Sequence, residues 1–173
     1  RSSCGYPSER RALAQRTANT QSRQPRTSRR VDLKNGQPNE TSGLVCAHHH
    51  LYSTLARGMP APPRTPRTFR EILELVWWRL DRAMDLEMLE WSAKLGALEA
   101  LESGTTAIVD HHESPNAIEG SLDVIANACA EVGVRVNCSY GITDRHGPEG
   151  ASRGLQENSR FLAQGGNGMV GVH

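Results

Sequence analysis

Apolar residues fall into regular patterns only after residue 42. From Gly43 onward, short apolar runs alternate with stretches in which apolar residues recur every three or four positions. Leu44–Ala47 is one such run and predicts a short buried strand. Thr68-Phe69-Arg70-Glu71 forms a capping box ahead of a helical face made by Leu73, Val76, Trp77, Leu80 and Met84. Asp85 can cap a second helical stretch carrying Leu86, Leu89, Ala93, Ala97 and Leu101, which Gly104 ends. A second strand over Thr105–Asp110 comes next, then a helix from Leu122 to Val132 with Leu122, Ile125, Ala126 and Cys129 on one face and Gly133 as its stop. Val134–Tyr140 predicts a third strand, residues 151–164 a third helical region, and Met169–Val172 a fourth strand. Leu51–Arg67, with Gly58, Pro60, Pro62, Pro63 and Pro66, predicts a long irregular loop. Strands alternating with helices imply an α/β fold with a parallel sheet and right-handed crossovers.

The polar residues sharpen this picture. The first strand runs into His48-His49-His50, and alternation along a strand sends His48 and His50 to one side and His49 to the other. Two imidazoles two residues apart on one face can close on one metal ion; a polar loop after a strand is the competing reading. Asp110-His111-His112, Asp144-Arg145-His146 and His173 also follow strand C-terminal ends, so all seven histidines sit at such ends. In a β/α barrel this is the end where active sites are built. Trp77, Trp78 and Trp91 are read as packing residues on helix faces rather than as an aromatic binding surface.

Charge divides the chain in two. Residues 1–42 hold nine Arg/Lys against three Asp/Glu, a net of +6, whereas the whole chain is +1, so residues 43–173 carry −5. The first 42 residues show no sustained period and read as a disordered basic arm. Tyr6 is the single aromatic residue among its arginines and no nucleic-acid motif is present, so nucleic-acid binding is a weak reading. Cys4, Cys46, Cys129 and Cys138 show no metal or disulfide framework, which fits a reducing cytoplasm. No apolar run approaches a membrane span, and no secretory h-region is seen.

Gly43–Ser53, with its H-x-H, resembles the first barrel strand of the amidohydrolase superfamily, nearest to its cytosine deaminase, chlorohydrolase and SsnA-type aminohydrolase branch. Leu101–His112, containing Gly-Thr-Thr, is similar to that branch's second strand, and Ser139–Arg145 and Gly171-Val172-His173 to the third and fourth. The resemblance implies a partial (β/α)8 barrel of about four βα units over residues 43–173. It implies His48 and His50 as ligands of one divalent metal, zinc or iron, and His173 as a substrate-lining residue; His111 and His112, at the end of the second strand, are expected to line the substrate pocket or to support the ligands from behind. The family's remaining ligands and its proton-shuttling glutamate find no counterpart, so no catalytic residue is identifiable.

The activity this resemblance implies is that of a metal-dependent hydrolase or aminohydrolase, using metal-activated water on C–N bonds other than peptide bonds, in cyclic amidines or heterocycles. The chain itself is expected to be a truncated fragment, weakly active or inactive, in which two halves can pair as a homodimer. A non-catalytic α/β fragment acting only through association is the second reading, and a nucleic-acid binder working through the basic arm the third. A small-molecule substrate is expected, and no membrane partner.

Overall fold

In the computed structural model of the chain, residues 42–165 and 170–171 are described. They build one parallel sheet in the order β1-β2-β3-β4, with helices in the crossovers. The strands are β1 (Leu44–His49), β2 (Thr105–His112), β3 (Arg135–Tyr140) and β4 (Val170–Gly171). Each is adjacent to the next in sequence order, as in the wall of a β/α barrel. β2 and β3 run in unbroken register from Ala107↔Arg135 to His112↔Tyr140, while β1 shifts register against β2 twice and ends with His49 opposite Asp110.

The first crossover holds most of the irregular structure. After β1 comes a 3₁₀ helix, Leu51–Gly58, where the sequence pattern predicts loop. The prolines begin only at residue 60, so nothing in 51–58 removes a backbone donor, and Leu51 and Tyr52 are buried against the sheet. α1 (Phe69–Ile72) passes through a π turn, Leu73–Trp77, into α2 (Trp78–Ala83). The predicted capping box is formed: Thr68 Oγ1 accepts the Glu71 amide at 3.2 Å, and Glu71 reaches back to the Arg67 amide at 2.6 Å. α3 (Leu86–Glu102) starts at Asp85, whose Oδ1 accepts the Met88 amide at 2.7 Å.

The second and third crossovers are α4 (Ser121–Val132) and α5 (Gly147–Gln164). Gly133 closes α4 at φ 94°, a left-handed conformation that a side chain disfavours. α5 starts earlier than predicted, with a proline in its first turn. The core lies between sheet and helices. Leu89, Ala93 and Ala97 of α3 and Leu122, Ile125, Ala126 and Cys129 of α4 pack on Ile108, Val136 and Cys138. Alternation along the strands also buries Asp110 and His112 on this helix side. The opposite face of β2 and β3 is only half-buried. The basic arm and His173 lie outside the described residues, apart from Ser42.

Candidate metal centre and cavity

The histidine triplet divides as strand geometry requires. His48 and His50 face the same side, with their Nε2 atoms 3.2 Å apart. His49 faces the helices, where its Nδ1 is 3.9 Å from Asp110 Oδ1 and it lines a separate cavity of about 400 Å³ with Cys46, Arg57 and Glu99. Burial first, and the charges of His50 and His48 after it, hold the His49 imidazole below its usual range.

The 3.2 Å approach tests the pair as metal ligands. Nitrogens about 2.0–2.1 Å from one zinc ion at a tetrahedral angle stand about 3.3–3.4 Å apart. The tautomer fits as well. His50 Nδ1 lies 2.7 Å from the main-chain oxygen of His111, and a carbonyl can only accept, so Nδ1 carries the hydrogen. In the neutral ring Nε2 then presents a bare lone pair toward His48. Two imidazoles converging in this way suit a divalent cation. Among the described residues no group of three or more His, Cys, Asp or Glu is arranged to hold one ion. The pair supplies two donors, whereas a catalytic zinc usually has three protein ligands.

The other predicted histidines separate. The His111 ring packs on His48 with centroids 4.4 Å apart, beside the pair. His112 points the other way and is fully buried, so it lines no surface open to a substrate in this conformation. Its Nε2 meets Ser114 Oγ at 2.7 Å, and Ser114 in turn donates to the Ala117 carbonyl at 2.7 Å. The ring is held edge-on between Tyr52 and Tyr140, at 5.5 and 5.6 Å. Burial first, and His50 second, push its pKa down to about 3, so it is neutral at any ordinary pH.

A cavity of about 690 Å³ opens beside His48 and His50, within the size range of small-molecule sites. Tyr52, Phe69, Trp77 and Trp78 give it an aromatic wall, and Asp81, Glu113 and Arg145 a polar end. Of the tryptophans predicted to pack on helix faces, Trp77 does pack against the core and also lines this cavity with Trp78, whereas Trp91 is exposed. Arg145 Nη2 bonds both Asp81 Oδ2 and Glu113 Oε2 at 2.6 Å, and its guanidinium sits 5.0 Å from the Trp78 ring centroid. Asp81 Oδ1 and Arg145 Nη1 are buried without a partner. The sequence pattern places Arg145 in a strand-end cluster without a role and does not single out Asp81 or Glu113. Asp81 does carry a signal, an acid four residues after Trp77 and so on the apolar face of its helix.

Residues 41–171 match the amidohydrolase family. The chain belongs to that family. Among curated amidohydrolases, it is 33% identical over 130 residues to 5′-deoxyadenosine deaminase of Methanopyrus kandleri, covering 74% of this chain and 28% of that protein. Against 8-oxoguanine deaminase of Pseudomonas aeruginosa the identity is 33% over 126 residues, covering 70% of this chain and 27% of the relative. A triazine hydrolase from Arthrobacter aurescens has a similar fold, with TM-score 0.59 and 25% identity over 75% of this chain and 33% of that one. Atrazine chlorohydrolase from the same species, solved with zinc, matches with TM-score 0.56 and 24% identity over the same shares. This amidohydrolase chain thus spans little more than a quarter of the curated relatives it matches. No helix among the described residues is long and apolar enough to cross a membrane.

Proposed function

We propose that residues 43–173 carry the metal-binding first strand and part of the substrate pocket of a metal-dependent aminohydrolase acting on ring C–N bonds of a small heterocycle or cyclic amidine. The observation that supports this best is the convergence of the His48 and His50 Nε2 atoms at 3.2 Å, with the His50 tautomer set from behind by the His111 carbonyl. His48 and His50 would hold one divalent ion, zinc or iron, which when bound makes hydroxide available from water near neutral pH. The aromatic wall of Phe69, Trp77 and Trp78 suits the faces of a planar ring. At the polar end, Asp81, Glu113 and Arg145 offer acceptors and a donor to a ring edge. His111, beside the pair, remains a proposed substrate contact, as does His173; His112 is buried on the helix side of the strand. Cys46, Cys129 and Cys138 are free thiols, which supports placement in a reducing cytoplasm.

Metal analysis tests the reading. Purified protein should bind one zinc or iron ion per chain, and the His48→Ala/His50→Ala variant should lose it. Equal metal content in the two proteins would refute the assignment.

One observation favours a second reading, association without catalysis. Among the described strands β1 pairs only with β2, and its Leu44 and Val45 are 61% and 65% exposed. An apolar edge of that kind is a template for pairing with another chain, a second copy included. Light scattering coupled to size exclusion distinguishes a dimer from a monomer.

A further inference from the structure

The metal-ligand reading leaves open what sets the direction of His50, and the helix-side face of β2 offers an answer. Asp110 is fully buried there, and its Oδ1 accepts the Leu51 amide at 2.6 Å. Leu51 is the residue directly after His50. Its carbonyl accepts from Ser92 Oγ of α3 at 2.7 Å, so side chains from two other elements fix this residue at amide and carbonyl. The His50 ring is fixed by the main chain of His111, the neighbour of Asp110. Two consecutive β2 residues therefore act on His50 from both sides of the sheet, one through the backbone after it and one through its ring.

Local structure does not explain Asp110 on its own. Leu51–Gly58 is a 3₁₀ helix whose N-cap is His50, and the His50 side chain makes no capping bond. Burying a carboxylate is costly, and this one keeps Oδ2 without a partner. A side chain at the N-cap reaches the amides two or three residues on, not the one directly after it, so the Leu51 amide needs an acceptor from elsewhere. Asp110 of β2 supplies it.

We propose that Asp110 is a positioning residue for the His48/His50 pair. Through the Leu51 amide it fixes the point at which the chain leaves β1, and with it the line along which His50 Nε2 meets His48 Nε2. This rests on the reading of the two histidines as ligands.

Wild type, Asp110→Asn and Asp110→Ala, labelled with ¹⁵N, give the test, with Zn²⁺ alone as the probe. Asparagine keeps an oxygen acceptor in the same place, whereas alanine removes it. In wild type the Leu51 amide should exchange slowly, and the His50 ring should show a protonated Nδ1 and a bare Nε2. Asp110→Asn should keep both signatures and zinc affinity within about threefold. Asp110→Ala should lose Leu51 protection, average the two His50 ring-nitrogen shifts and bind zinc about 10–100-fold more weakly. Unchanged His50 signals and affinity in folded Asp110→Ala would overturn the proposal, as would an Asp110→Asn variant as impaired as the alanine one. If Asp110→Ala does not fold, wild type and Asp110→Asn decide: a fast-exchanging Leu51 amide or an Nε2-protonated His50 in either overturns it. A wild type that takes up no zinc sinks the ligand reading alone, and the ring and amide signals still judge Asp110.

Discussion

Replacing His112 with Phe should change how stability depends on pH, in a direction the burial of this ring fixes. Folded His112 accepts a proton only near pH 3, whereas in the unfolded chain it does so near its ordinary 6.5. Between these values the unfolded chain binds a proton that the folded one refuses. The stability His112 contributes is therefore complete above pH 6.5 and is lost as pH falls toward 3. At about 1.4 kcal/mol per pH unit, the whole interval amounts to about 4–5 kcal/mol. Asp110 works in the opposite sense. Burial raises its carboxyl from 3.8 to about 7, against the pull of the Leu51 amide, so its contribution is complete below pH 4 and lost as pH rises to 7. Between pH 4 and 6.5 the two slopes oppose each other. Phenylalanine keeps an aromatic ring, somewhat larger than imidazole, between Tyr52 and Tyr140, at a packing cost that does not vary with pH, and Ser114 can keep its bond to the Ala117 carbonyl. The variant removes one slope and leaves the other. Urea unfolding, followed by fluorescence of Trp77, Trp78 and Trp91, would be run from about pH 7.5 to about pH 4.5. The variant should gain on wild type by about 1.4 kcal/mol for each pH unit below 6.5. A stability difference that stays constant across that range would refute the argument.

Two further substitutions test the cavity and its first crossover. Arg145→Met leaves Asp81 and Glu113 without their shared cation, and Asp81 is 1% exposed, so a loss of about 3–5 kcal/mol is expected in the urea midpoint. Adding Asp81→Asn to that variant should recover part of the loss. Gly96→Ala places a methyl 2.7 Å from Thr54 Oγ1 and 2.8 Å from Leu51 Cδ2, where α3 crosses the 3₁₀ helix, and should cost about 1–3 kcal/mol by thermal melting.

Where local pattern decides structure, the sequence is a good guide. The capping box at Thr68, the cap at Asp85 and the stop at Gly133 all stand where their residues put them, because each depends on neighbours within four positions. The H-x-H pair is legible for the same reason, since alternation along a strand needs no tertiary knowledge. The 3₁₀ helix at Leu51–Gly58 is not legible. Its first amide is capped by a side chain 59 residues away, and the proline density just beyond it hides a proline-free turn. His111 and His112 look equivalent as neighbours at a strand end. The pleat sends one to the His48 side and the other into the helix layer, and only the position of the helices says which is which.

The polar end of the cavity shows most clearly why a site can escape a linear reading. Asp81, Glu113 and Arg145 come from α2, the segment after β2 and the turn after β3, with 32 residues between Glu113 and Arg145 and 64 between Asp81 and Arg145. None belongs to a spaced motif, and only Asp81, an acid on the apolar face of its helix, departs from the pattern of a solvated charge. Parallel topology brings them together, since every crossover returns the chain to the same end of the sheet. That end already holds His48 and His50 by local alternation. The His48/His50 pair is thus written in one strand, while the groups beside it are written only in the order of the strands. Arg145 and its two carboxylates tie α2, the segment after β2 and the turn after β3 together around one cavity.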